Sequence, residues 1–275
     1  MAYIPLIARV NSLPPLPESV LKIEMLYASD DPDIDDIVKI IESDPALTAD
    51  ILVKVNAPFY GFSKTIVDIL QAVTLFGSSQ IRSIVLSSSI NRAFDIDLAP
   101  YDISTLEFSK ISMIQSELAF QWYMGVDIEL ARRLTPIAFL METGKILIAK
   151  DIIQENKTEE FLNDTHKFKD ISYVENIYTN MTTAQINAII FEHLNLNETF
   201  YSSMKYLDPE KEIPQDMQSM EAIIIALRVV RTAVNVQEQL SDQSLHNAIE
   251  MLKANSLESD AFSRAVKRIK RKYFE

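Results

Sequence analysis

The sequence predicts an all-α protein built from two packed helical bundles and a terminal helix, and three observations predict it. Nearly every segment repeats apolar residues at the three- and four-residue spacing of a helix face, and none sustains the alternation of a half-buried strand. Helix-start signals recur ahead of those segments, most clearly Asp44-Pro45, an N-cap aspartate followed by a proline at the first helical position. At 275 residues and 48% apolar content the chain can bury a core in one large or two modest domains. The expected organisation is an N-terminal bundle of five helices over 1–100, a second bundle over 101–256 and a basic amphipathic helix over 257–275.

The elements follow in order. LPPLPES (13–19) is a rigid, extended lead into a helix at Pro17 or Glu18, because each proline fixes its own φ and pushes its predecessor out of the α region. It reads either as a strut packed across the domain through Leu13 and Leu16 or as a polyproline II ligand; packing is the simpler reading. Ile34, Ile37, Val38 and Ile41 form one apolar stripe, and Leu47, Ile51, Leu52 and Val55 the next. TIVDILQAVTLFG (65–77) predicts a helix stopped by Gly77, and the serines that follow are expected to cap another through Ile90. The Asp- and Pro-rich FDIDLAPYD (94–102) separates this group from a long helix over 104–125 that closes at Gly125. Further helices are expected at 128–142, with a break at Pro136, and at 145–155, 170–180, 182–194, 197–206, 218–240 and 257–274.

Composition excludes several chemistries. The absence of cysteine removes disulfides, thiolate metal sites and a cysteine nucleophile. Glycines at 61, 77, 125 and 144 are too scattered for a phosphate-cradling loop. His166, His193 and His246 lie 27 and 53 residues apart with no carboxylate–histidine pattern, so no histidine metal site is expected, and no G-x-S-x-G elbow anchors a serine nucleophile. The start has no basic stretch followed by an apolar core of signal-peptide length, and AIIIAL (222–227) is too short to cross a bilayer, so a cytoplasmic protein without membrane insertion is expected.

Net charge is −13, which opposes contact with nucleic acid over most of the surface. The tail differs. Arg264, Lys267, Arg268, Lys270, Arg271 and Lys272 against one acid give residues 264–275 a charge of +5 and leave −18 on the rest. Leu257, Ala261, Val266, Ile269 and Tyr273 fall roughly along one face, which predicts a helix docked on the acidic body; the other reading is a basic patch for an acidic partner. FLMETGKILI (139–148) places Glu142 and Lys145 between two apolar blocks, which poses a catalytic acid against a helix junction.

Three stretches, LPPLPESVLKIEML, IVKIIESDPALTADILVKVNAPFYGF and IVDILQAVTLFGSSQIRSIVLS, keep the order and spacing of one family pattern: L-P-x-L-P, then I-x-x-D-P-x-L-T-x-x-I-L-x-x-x-N-x-x-x-x-G, then A-[IV]-x-x-[LF]-G. The chain resembles the HD-related output domain (HDOD), a bacterial regulatory module related to the HD phosphohydrolases, over roughly residues 12–235. On that resemblance FLMETGKILI lies where such domains carry H-D-[IL]-G-[KR], which puts Met141 at the histidine and Glu142 at the aspartate, while Gly144 and Lys145 match. Downstream Glu175 and Pro209 match. Thr183 stands at a histidine, Asn187 at a glycine, Leu194 at a tryptophan, Tyr206-Leu207 at the histidine pair and Leu227 at the final aspartate.

A metal-dependent phosphohydrolase centre needs several imidazoles and carboxylates around one cation, and methionine, threonine and leucine cannot replace them. The resemblance therefore implies a non-catalytic bacterial signalling module acting by protein contacts, with no cofactor and with Met141, Glu142, Lys145, Thr183 and Tyr206 lining a former metal cleft that could hold a small ligand. Two rivals remain: a residual metal-dependent phosphodiesterase, and nucleic-acid binding through the basic helix, which the overall charge disfavours.

Overall fold

Aspartate and proline fix the entry of the early helices. In the computed structural model, which describes residues 3–28, 32–94, 96–168, 170–257 and 259–275, α1 (Tyr3–Asn11) leads into the extended LPPLP segment and α2 (Glu18–Leu26). Asp33 caps α3 (Ile34–Glu42) by accepting from the Asp35 amide, and Asp44 caps α4 (Pro45–Val55) by accepting from Ala46 and Leu47. The Ser19 hydroxyl donates to the second Asp44 oxygen at 2.7 Å and ties α2 to α4. After α4 the Asn56 side chain pairs with both backbone groups of Ile66, donating to its carbonyl and accepting from its amide at 2.8 Å each. That asparagine pins a turn in which Gly61 takes φ +66°.

α5 (Ile69–Phe76) begins later than the pattern from residue 65 predicts, because Asp68 caps it through the Gln71 amide. α6 (Ser78–Asn91) has no serine cap: Gly77 itself, at φ +80°, is the terminal residue of both helices, which meet at 119°. Arg82 of α6 holds Glu24 of α2 through two bonds of 2.8 and 2.6 Å. With α2 to α5, α6 completes the five-helix N-terminal group.

The second group opens with α7 (Thr105–Tyr123), started by a Ser104–Glu107 capping box and ended two residues before Gly125. α8 (Ile128–Leu140) contains Pro136 without a break. The Thr135 hydroxyl bonds the Ala131 carbonyl at 2.7 Å, and the Ser116 hydroxyl of α7 donates to the Thr135 carbonyl at 2.8 Å. The second bond ties α7 to α8 at the residue before the proline. α9 (Gly144–Gln154), α10 (Thr158–Lys167), α11 (Ile171–Thr179), α12 (Thr183–His193) and α13 (Glu198–Lys205) follow. α14 (Gln218–Ala233) ends well short of residue 240. The chain reverses through a single Val234–Gln239 bridge, with Leu240 at φ +56°, and then forms α15 (Asp242–Ala254) and α16 (Ser259–Tyr273).

The predicted all-α class is the class observed: no strand occurs among the described residues. α1, α10 and α15 are helices that the sequence pattern did not single out. α1 lies on α9 and α12, where Arg9 bonds Asp151 and Gln154, so the N-terminus crosses onto the second group. Leu16 is buried, and the Leu13 carbonyl meets His193 Nε2 at 3.1 Å, so LPPLP packs as a strut. α6 packs on both α4 and α8, and the buried side chains form one core running through both groups. No single helix among the described residues is long and apolar enough to cross a membrane.

Candidate functional site

The α8–α9 junction carries the residues that pose the functional question. α8 stops at Leu140, Met141 to Thr143 turn, and α9 starts at Gly144. Gly144 is not in the left-handed region; what it permits is close approach. A Cβ there would lie 2.6 Å from the Thr183 carbonyl oxygen and 3.2 Å from Ile186 Cβ, so α9 and α12 can touch only at a glycine. Asn187 secures the contact by accepting from the Gly144 amide at 2.7 Å and donating to the Met141 carbonyl at 2.6 Å. Its side chain thus serves a backbone junction and is not a stray replacement of glycine.

This packing buries both charges: Glu142 is 1% exposed and Lys145 2%. Lys145 Nζ lies 2.6 Å from Glu175 Oε1, 3.2 Å from Glu142 Oε2 and 3.3 Å from Thr183 Oγ1, with the Tyr101 ring 4.9 Å away. Glu175, from α11, is itself held at the start of α12. It accepts from the Thr183 amide and hydroxyl at 2.7 Å each and from the Tyr101 hydroxyl at 3.0 Å. From α14, Arg231 Nε reaches Glu142 Oε1 at 3.0 Å and Arg231 Nη1 reaches Asp208 at 3.3 Å. Gln115 of α7 also donates to Glu142 Oε1, at 3.3 Å. Glu142 Oε2 makes only the ion pair with Lys145, which is not aligned as a hydrogen bond.

Three carboxylates and two cations thus form one connected cluster. Burial pushes the Glu142 carboxyl up, but the charges of Arg231 and Lys145 outweigh it and hold the group below the usual carboxylate range. Arg231 loses hydration by burial, and Glu142 and Asp208 more than restore its preference for the charged form. Burial and the neighbouring Glu175 push the Tyr101 phenol well up, so it donates to the carboxylate as a neutral hydroxyl.

Of the residues singled out from sequence, Glu142, Lys145 and Thr183 come together. Met141 is buried with its carbonyl on Asn187, and Tyr206 lies apart, offering its carbonyl to Arg228. Arg231, Asp208, Gln115 and Tyr101 were not singled out. The signal for Arg231 was a pair of arginines in the otherwise apolar run IIIALRVVRTA. Glu142, Lys145, Ile171, Arg228, Arg231 and Val236 line an open cleft of about 310 Å³.

The cluster does not fit the metal of an HD enzyme. No imidazole reaches it, and among the described residues no three His, Cys, Asp or Glu side chains are arranged to hold an ion. The position between Glu142 and Glu175 is taken by a lysine ammonium.

On α16 the basic residues divide. Lys272 pairs with Glu117 of α7 at 2.8 Å and Arg268 bonds Gln121 at 3.0 Å, while Arg264, Lys267 and Arg271 are exposed and Lys270 half-buried. Phe262, Ala265 and Ile269 enter the core beside Ala261, Val266 and Tyr273.

The HDOD domain profile matches residues 13–209. A protein of unknown function from Treponema pallidum (strain Nichols) is 32% identical over 84 residues, which is 30% of this chain and 16% of that protein. The crystal structure of a virulence factor from Campylobacter jejuni subsp. jejuni is similar over 100% of both chains, with TM-score 0.60 and 24% identity. A chain from Marinobacter aquaeolei VT8, provisionally assigned to signal transduction, is similar over 95% of this chain and 57% of its own, with TM-score 0.68 and 19% identity.

Proposed function

The chain belongs to the HDOD domain family, and from that premise we propose that it is a non-catalytic regulatory module, a signalling adaptor of the bacterial cytoplasm that acts through contacts with other proteins. One observation carries the reading. Lys145 places its ammonium between Glu142 and Glu175, where the resemblance to HD enzymes puts the metal cation, and Arg231 pairs with both Glu142 and Asp208. A divalent ion entering there would have to displace a buried ammonium already held by two carboxylates and a hydroxyl, and it would find no imidazole. Water activation has no centre from which to proceed. The cluster then holds α9, α11, α12 and α14 together, and a fixed scaffold of this kind suits a module that presents surfaces.

The signal-transduction assignment of the Marinobacter chain belongs to that protein; it supports a regulatory reading here through the shared fold. The test has two arms. With manganese or magnesium, hydrolysis of bis-p-nitrophenyl phosphate is expected to stay at the buffer rate, and a metal-dependent rate abolished by Glu142→Gln would overturn the reading. Affinity capture of the intact chain from its native cytosol, beside a variant with Arg264, Lys267 and Arg271 changed to glutamate, is expected to retain the same protein partners in both. Loss of every partner in the variant, with nucleic acid in the wild-type eluate, would move the function to α16.

A further inference from the structure

A second cavity, of about 250 Å³, lies where the two helical groups meet, between α4, α6, α7 and α8. Its walls include Phe59, Tyr60, Ile84, Phe108 and Phe139, and Val53 and Leu106, 74% and 51% exposed, stand at its rim. One cation belongs to it. Lys54 Nζ donates to the buried Ser87 hydroxyl at 3.0 Å, and Asn91 donates to the same oxygen at 3.2 Å. A lysine ammonium has three donors, and Ser87 takes one. Among the described residues Lys54 has no carboxylate within ion-pair distance: Asp50, one turn earlier, is held by Arg92 Nε at 2.6 Å. What sets Lys54 apart is its place: a half-buried cation beside an apolar cavity, with the nearest carboxylate on its own helix engaged elsewhere.

We propose that this cavity binds a small monocarboxylic acid with an apolar body, its carboxylate on Lys54 and its body among the aromatic side chains. The chemistry selects that class. A carboxylate on a poorly hydrated ammonium gains more than it would in water. Ring edges and faces receive an apolar or aromatic body, and they disfavour a compact hydrated anion such as phosphate, which would lose hydration without gaining partners. Burial brings the Lys54 pKa down to about 8, with Asp50 acting against the shift and Arg92 with it. The Tyr60 phenol is pushed up by burial and stays neutral, and α7 and α8 contribute only uncharged side chains to the lining. The bound acid would touch both helical groups at once, which gives an adaptor an input of its own. This goes beyond the proposed function, and its failure would leave that reading standing.

The test is calorimetric titration of the full chain with 3-phenylpropanoate and octanoate, beside 3-phenylpropanamide and inorganic phosphate. Saturable one-to-one binding of at least one acid is expected at pH 7, with the amide and phosphate at least ten-fold weaker. The affinity should fall as pH rises from 7 to 9 and Lys54 loses its proton. Lys54→Met should bring the acid down to the level of the amide. Should that variant not fold, the wild type labelled with ¹³C-lysine answers the same question, because a bound carboxylate raises the pKa of the Lys54 amine. No saturable binding of either acid, equal binding by Lys54→Met, or an unmoved Lys54 titration in the presence of the acid would overturn the proposal.

Discussion

Glu142 is one buried carboxylate facing two cations, and its charge is what the cluster depends on. Glu142→Gln keeps the shape but leaves Arg231 and Lys145 each with a single carboxylate, so a loss of about 3 kcal/mol is expected in urea unfolding at pH 7, near the low end for a broken buried pair. The pH dependence has a definite sign. Because the folded pKa of Glu142 is depressed, its contribution is fully present above the unfolded value of about 4.3 and is lost as pH falls through the folded value. The stability gap between wild type and Glu142→Gln should therefore hold from pH 7 to 5.5 and close below about 4.3. A gap that narrows between pH 7 and 5.5 would mean that the pairing does not hold Glu142 ionised.

Gly144→Ala should cost roughly 1–3 kcal/mol by forcing α9 away from the Thr183 carbonyl. These residues also mark what the sequence could show. FLMETGKILI exposed a charged pair in an apolar setting, and the resemblance aligned it with the H-D motif of the family. The partners Arg231, Asp208 and Tyr101 lie 23 to 130 residues away from one another along the chain, and only the folded arrangement assembles them.

At the scale of elements, an aspartate cap followed by proline was the dependable signal, whereas the serine cap expected after Gly77 and the break expected at Pro136 did not occur. α4 begins where Asp44-Pro45 places it, because a side-chain acceptor for the first free amides is a local property, and Asp33, not singled out in the sequence, starts α3 in the same way. The errors arose where a distant group decided the outcome. Pro136 did not break α8: the ring removes one internal bond, to the carbonyl four residues earlier, and the side chains that α8 packs against α6 and α7 hold the helix together. α14 was carried on to residue 240, and α15 was missed, because the turn between them has no glycine: Leu240 accepts φ +56° with its side chain buried and its amide bonded to the Ala233 carbonyl at 2.9 Å. For α16 the apolar stripe was legible, but the depth of Phe262, set 5.0 Å from the Trp122 ring, was not. Phe262→Ala should cost about 3–5 kcal/mol and shift the emission of this lone tryptophan, whereas the exposed Arg271→Ala should stay within about 0.5 kcal/mol. Equal effects of the two would mean that α16 is held by charge and not by packing.

At the scale of the whole molecule, the two groups of helices look separable in sequence, because FDIDLAPYD interrupts the pattern between them. Packing joins them. α6 is buried between α4 and α8, α1 reaches over to α9 and α12, and one core runs through both groups. The family match itself ends at residue 209, before α14. Yet Ile223, Ile224, Leu227 and Val230 of α14 are among the most buried side chains, and Arg231 neutralises Glu142 and Asp208. A fragment ending at residue 209 would therefore expose an apolar face and strand two buried carboxylates, each unfavourable by several kcal/mol against a typical total stability of about 5–15 kcal/mol. That fragment is expected to be unfolded or aggregated, with far-UV circular dichroism well below that of the full chain and no cooperative urea transition. The intact chain should unfold in one step, with Trp122 fluorescence and circular dichroism coincident. A folded 1–209 fragment, or a first dichroism transition with fluorescence unchanged, would show instead that the N-terminal helices form a separate unit, and the cavity at Lys54 would then lie on a hinge between two bodies.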